Sequence, residues 1–226
     1  SPQDEIYAAG YKTTGTNKDG FVVKLNAAGA TIWSRTFGAG TVDEIRDCGF
    51  KSSRLYFVGT TNGAGAGSSD VWFLKTDTAG TVIQNKTLGT AGAEVANACT
   101  FTADGNIAIG GQTSGYNDST VYVAKFNLSG DSIWTRHYDL RAASNTATVA
   151  ARGIAELSTQ ELIVTGIGWD GSGGYSSTFH LKLNSGGSTV YLRWTSLIAD
   201  DGSDVVAGKN GAYYLFINYC NFGCRA

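Results

Sequence analysis

The chain has 226 residues, 42% of them hydrophobic and 12% aromatic, which is enough apolar material for a packed core and argues against disorder. Gly 31 with Pro 1 and Met 0 is a composition poor in helix formers, and without a three-residue glycine period it is not collagen. Lys+Arg 17 against Asp+Glu 19, a net charge of −2, leaves no basic footprint for nucleic acid or an anionic membrane, and no apolar run is long enough for membrane insertion. The chain opens on Ser1 with no Met and no apolar leader, which reads as a processed product or a fragment.

The first element, Ile6-Tyr-Ala-Ala-Gly10, is a short apolar strand. Next comes Asp19-Gly-Phe-Val-Val-Lys24-Leu-Asn, then the polar turn Asn26-Ala-Ala-Gly29, then Ile32-Trp33-Ser-Arg35. Asn opens such a turn by bonding its own backbone, and Gly supplies a positive φ. Strand, turn and strand return as Asp70 to Lys75, Asp77 to Gly80 and Ile83 to Lys86. They return again around Lys125, Asn127–Gly130 and Arg136, and around Lys182, Asn184–Gly187 and Arg193. Between these pairs lie Glu44–Phe50 and Leu55–Gly59, Glu94–Phe101 and Ile107–Gly111, and Val149–Glu156 and Leu162–Gly166. Asp204–Gly208 and Tyr213–Ile217 form a last pair. The unit is therefore four short strands, A to D, in about fifty residues, the signature of propeller blades.

These residues predict one all-β domain over 1–226, a β-propeller of four-stranded antiparallel blades. The repeats run at about 5–42, 43–92, 93–147, 148–202 and a partial 203–226. The chain holds strands B to D of a first blade, three whole blades, then A and B of another. About four blades are expected, with the N- and C-terminal strands sharing one. Five blades, or a piece of a larger propeller, are the alternatives.

The string from Asp19 to Glu44 resembles the SBBP (seven-bladed β-propeller) repeat of secreted, mainly bacterial proteins. Those repeats carry a comparable Asp-x-Phe-Val-x-Lys-Leu-Asn, a Gly turn, an aromatic strand and a Gly-rich link to an acidic blade start. The resemblance covers nearly the whole chain and implies a secreted, extracellular propeller. It carries no catalytic motif. Seven full repeats do not fit in 226 residues.

The expected function is a non-enzymatic structural or adhesive building block, self-assembling through its terminal strands. Its expected partners are itself, as a homo-oligomer or filament, or glycans. The alternative is a carbohydrate-binding propeller using the variable loops between strands B and C: Thr13–Lys18, Asn62–Ser69, Ser114–Ser119 and Trp169–Ser177. Such loops on a rigid scaffold are where binding groups sit. Tyr116, Asn117, Trp169, Asp170 and Tyr175 are the candidate ligand contacts, aromatic faces for a sugar ring and polar groups for its hydroxyls.

No catalytic residue, metal site or cofactor is assigned. His180 takes a core position, where the other repeats carry Val22, Phe73 and Val123, and His137 reads as a surface residue. Asp200-Asp-Gly-Ser-Asp204 lacks calcium-loop spacing and reads as a turn. The in-phase Lys24, Lys75, Lys125 and Lys182, like Arg35, Lys86, Arg136 and Arg193, are expected to pair with the acidic start of the next blade, Asp43 or Glu44 after the first. Cys48 and Cys99 occupy equivalent A-strand positions, either bridged or as small buried side chains. Cys220 and Cys224 are candidates for a local disulfide or a link between subunits. Asn85, Asn117 and Asn127 head glycosylation sequons.

Overall fold

Inner strands buried along most of their length and outer strands left largely exposed, closed by Asx–Gly turns, produce an all-β chain. The computed structural model describes residues 5–40, 42–114, 120–140, 148–169, 176–195 and 199–219. The chain divides into two compact units, Ser1–Ala96 and Asn97–Ala226.

The first unit opens with a three-stranded antiparallel sheet of β1 (Ile6–Thr14), β2 (Asn17–Leu25) and β3 (Thr31–Phe37). A four-stranded sheet follows, of β4 (Asp43–Lys51), β5 (Arg54–Thr61), β6 (Asp70–Asp77) and β7 (Val82–Leu88). β8 (Glu94–Phe101) runs into the second unit. There it forms a sheet with β9 (Ile107–Thr113), β10 (Thr120–Phe126) and β11 (Ser132–Tyr138). The next sheet holds β12 (Thr148–Glu156), β13 (Leu162–Trp169), β14 (Ser176–Leu183) and β15 (Thr189–Thr195). The last has two strands, β16 (Ala199–Ala207) and β17 (Tyr213–Tyr219), joined by a 3₁₀ turn at Lys209–Gly211.

Three expectations change here. The described residues form five sheets rather than about four. Among the described residues the terminal strands do not share a blade, because β1 pairs with β2 and β16 pairs with β17. The run Asp200–Asp204, expected as a turn, lies within β16.

The four C–D turns are built alike. The Asn26 Oδ1 accepts the N–H groups of Ala28 and Ala30 at 3.0 and 2.9 Å. Asp77, Asn127 and Asn184 do the same for their own turns. Gly29, Gly80, Gly130 and Gly187 close them at φ between 75° and 82°, a conformation costly for residues with a Cβ. The Asn127 amide is thus committed to its turn. Beside each turn the register shifts by one residue directly after Lys24, Lys75, Lys125 and Lys182.

The sequence expectation for these lysines had the right role and the wrong partner. Lys24 bonds Glu5 at 2.7 Å, Lys125 bonds Asp104 at 2.6 Å and Lys182 bonds Glu161 at 2.7 Å. Each of these acids precedes a B strand of the same sheet. The acidic blade start has other partners: Glu44 takes Lys18 at 2.5 Å and Arg46 at 2.6 Å. Burial pushes the Asp104 carboxyl up, but the bonds from Lys125, Thr102 and Asn106 outweigh it and hold it at about 2. A depressed carboxylate adds stability above its unfolded pKa and loses it as pH falls through the folded one. Acid titration from about pH 4 to pH 2 should therefore destabilise the wild type more than Asp104→Asn, as read by tryptophan fluorescence. Parallel curves would refute the pairing.

Within each unit the outer strand of one sheet grips the C–D turn of another. In the first unit the Arg35 Nε–H donates to the Ala79 carbonyl at 2.9 Å, with the guanidinium over the Trp33 ring. In the second, the Trp134 Nε1–H donates to the Ser185 carbonyl at 3.2 Å and the Tyr138 hydroxyl to the Gly187 carbonyl at 2.5 Å. The cores lie between sheets. Val22, Ile45, Leu55, Phe57, Trp72 and Leu74 fill the first unit. Val121, Val123, Val164, Phe179 and Leu181 belong to the main cluster of the second. Each such side chain contributes roughly 1.5–3 kcal/mol on full burial.

Neither Cys48 nor Cys99 is in a disulfide, so the bridged alternative falls. Each is half-buried, Cys48 against the core of the first unit. Burial, helped by neighbouring Asp47, pushes the Cys48 thiol up and makes it a poor nucleophile. Cys220 and Cys224 lie outside the described residues. His180 is buried as expected, whereas His137 is half-buried against Tyr122, with ring centroids 5.5 Å apart, and is not a surface residue.

Candidate functional site

The first unit contains a cleft of about 320 Å³ between its two sheets. Register builds it. Pairing of β6 with β7 sets Thr87 opposite Trp72 and Asn85 opposite Leu74. Side chains alternate along a strand, so these four share one face. Thr36 and Phe37, at the end of β3, supply the facing wall. Gly63 and Ala64 of the B–C loop and Gly38 of the D–A link form the rim.

Trp72 is the anchor. Its indole is buried, and its Nε1–H donates to the Asn85 Oδ1 at 2.7 Å. That bond fixes the amide so that its NH₂ group is left for a ligand. The ring reaches the first sheet because residue 20 is glycine: a Cβ there would meet Trp72 Cζ3 at 2.7 Å.

Asp43 closes the cleft at its base. It is buried, accepts N–H bonds from Ala39 at 2.9 Å and Gly40 at 2.7 Å, and takes the Thr61 hydroxyl. The Val42 N–H donates to the Asn62 Oδ1 at 2.8 Å, tying the D–A link to the B–C loop. A second carboxylate stands near. The point where a Cβ on Gly38 would sit is 2.7 Å from Asp43 Oδ2 and 3.1 Å from Asp19 Oδ1. The two oxygens are thus no further apart than those lengths combined. The cleft joins apolar walls, an amide, hydroxyls and the Asp43 carboxylate, with Asp19 beyond Gly38, which suits a small polyhydroxylated ligand.

No family model matches this chain, and no curated protein does. Solved structures do. An endo-arabinase from Bacteroides thetaiotaomicron VPI-5482 aligns over 99% of this chain and 92% of its own, with TM-score 0.63 at 12% identity. A subtype N11 neuraminidase-like protein of A/flat-faced bat/Peru/033/2010 (H18N11) aligns over 92% of this chain and 64% of its own, with TM-score 0.52 at 15% identity. At such identities the likeness is one of fold, and the fold is propeller-like.

This finding overturns the expectation of a non-enzymatic structural or adhesive block. The architecture is shared with a protein named as an endo-arabinase and another named as neuraminidase-like, so the scaffold gives no ground for excluding activity.

The structure does not describe the sequence-predicted ligand contacts. Tyr116, Asn117, Asp170 and Tyr175 lie outside the described residues, as does the Trp169 side chain, although its backbone ends β13. The B–C loop Asn62–Ser69 contributes two rim residues, Gly63 and Ala64. The missed residues were Thr36, Trp72, Asn85 and Thr87. Asn85 had a signal: it stands where the other repeats carry Ser34, Thr135 and Leu192.

Proposed function

We propose that this chain is a carbohydrate-directed propeller whose first unit holds a sugar between Trp72, Phe37 and Asn85. The observation that carries the reading is the cleft itself, in which apolar walls face an oriented amide and two hydroxyls. A sugar needs both, because its C–H faces seek apolar contact and its hydroxyls seek polar partners. The fold shared with an endo-arabinase and a neuraminidase-like protein is consistent with it. The implied extracellular setting of the SBBP-like repeat fits the same proposal.

A second reading, glycoside hydrolysis, is favoured by the Asp19–Asp43 pair. The Gly38 geometry keeps their separation below the wider inverting spacing, roughly 6.5–9.5 Å, and leaves room for the retaining one, roughly 5–5.5 Å. Asp43 is held rigid by its three donors, and half-buried Asp19 stands beside it. Reducing-sugar release from soluble polysaccharides should fall roughly 100-fold or more in Asp19→Asn, the order seen on losing a catalytic acid or base. Release that persists in the variant would rule the pair out.

A further inference from the structure

We infer that the cleft selects uncharged sugars and rejects carboxylated or sulfated ones. The inference rests on the carbohydrate reading and names the chemistry of its ligand. Among the described residues no Lys, Arg or His lines the cleft. An anionic sugar is recognised by charge-assisted bonds, most often from a bidentate guanidinium, and the cleft has no such donor.

Four cations of the first unit have other partners. Lys18 and Arg46 both bond Glu44, at 2.5 and 2.6 Å. Arg35 donates to the Ala79 carbonyl, and Lys75 lies over the Tyr56 ring at 5.2 Å.

What does face the ligand is of the opposite kind. Asp43 lines the base, with Asp19 beyond Gly38. A carboxylate or sulfate entering there would meet two carboxylates in a part-buried setting. Like charges brought together in this way cost enough to weaken binding about 100-fold. Neutral hydroxyls meet no such opposition. The Asn85 NH₂ donates to a sugar oxygen, and the Thr36 and Thr87 hydroxyls either donate or accept.

The test uses the full chain on immobilised neutral pentans and hexans, and on matched sialylated, uronate-containing and sulfated glycans. Titration calorimetry then follows on the best of each. Expected are binding to neutral glycans only, a loss of roughly tenfold in Asn85→Ala, and a gain of roughly tenfold for acidic glycans in Asp19→Asn. Circular dichroism of both variants confirms that they fold. Acidic glycans bound as well as neutral ones would overturn the selectivity and leave the carbohydrate reading standing. A folded chain that binds neither class overturns both. Acidic binding that stays weak in Asp19→Asn and at raised salt would remove the electrostatic argument.

Discussion

Trp72→Ala should lower the unfolding free energy by about 3–5 kcal/mol and abolish ligand binding, the largest loss expected from any single change in the first unit. The indole is 4% exposed and packs with Val22, Ile45, Leu55, Phe57 and Leu74. Removing it opens a void among five buried side chains from both sheets. It also frees the Asn85 amide, which the indole N–H now orients. Trp72→Phe separates the two consequences. It keeps most of the packing, removes the N–H, and should cost only about 1–2 kcal/mol while still weakening binding. Denaturant melts of both variants, set beside glycan titrations, read the two effects independently. Equal stability of Trp72→Ala and wild type would refute the packing account.

His180→Phe should stabilise the protein, by about 1–3 kcal/mol, and remove much of its sensitivity to mild acid. His180 is 8% exposed, and its Nε2 is buried without a hydrogen-bond partner among the described residues. Thr165 lies opposite it on β13, Arg193 opposite it on β15, and the Tyr213 ring meets it edge-on at 6.3 Å. Burial, with the Arg193 charge adding to it, holds its pKa below the ordinary histidine value. The unfolded chain, titrating near 6.5, binds a proton that the folded one refuses. Stability is therefore full above about pH 6.5 and declines as pH falls below it. Phenylalanine removes that proton site and the orphaned nitrogen together. Thermal melts at pH 7.5 and 5.5 should show a wide gap for wild type and a narrow one for the variant. The same gap in both would mean that another group titrates.

The repeat made much of this legible in advance. Lysine, Asx–Gly turn and basic residue recur in phase, and each turn forms with the bonds its side chain predicts. Periodicity also placed His180 in the interior, because its counterparts are Val22, Phe73 and Val123. Long-range pairing was harder to read. The lysines were matched to the acids that follow them, whereas the B–C pairing sets Lys24 opposite Tyr7 and Lys182 opposite Ile163, beside Glu5 and Glu161 two residues earlier. The shared terminal blade failed for a related reason: repeat phase identifies which strand is an A or a B, and it does not say which copy it joins. The cleft was invisible because it needs β3 of one sheet and β6 and β7 of another. Those side chains sit some forty to fifty residues apart in sequence, a separation of about one repeat.

The grip of Trp134 and Tyr138 on the turn at Asn184–Gly187 has a direction. An outer strand clasps a turn later in the chain, and Arg35 at Ala79 repeats the polarity. Cohesion in such an array is a sum of neighbour terms. Here those terms point one way along the polypeptide. A sheet made later docks against a clasp already in place, so the order of synthesis and the order of fastening coincide.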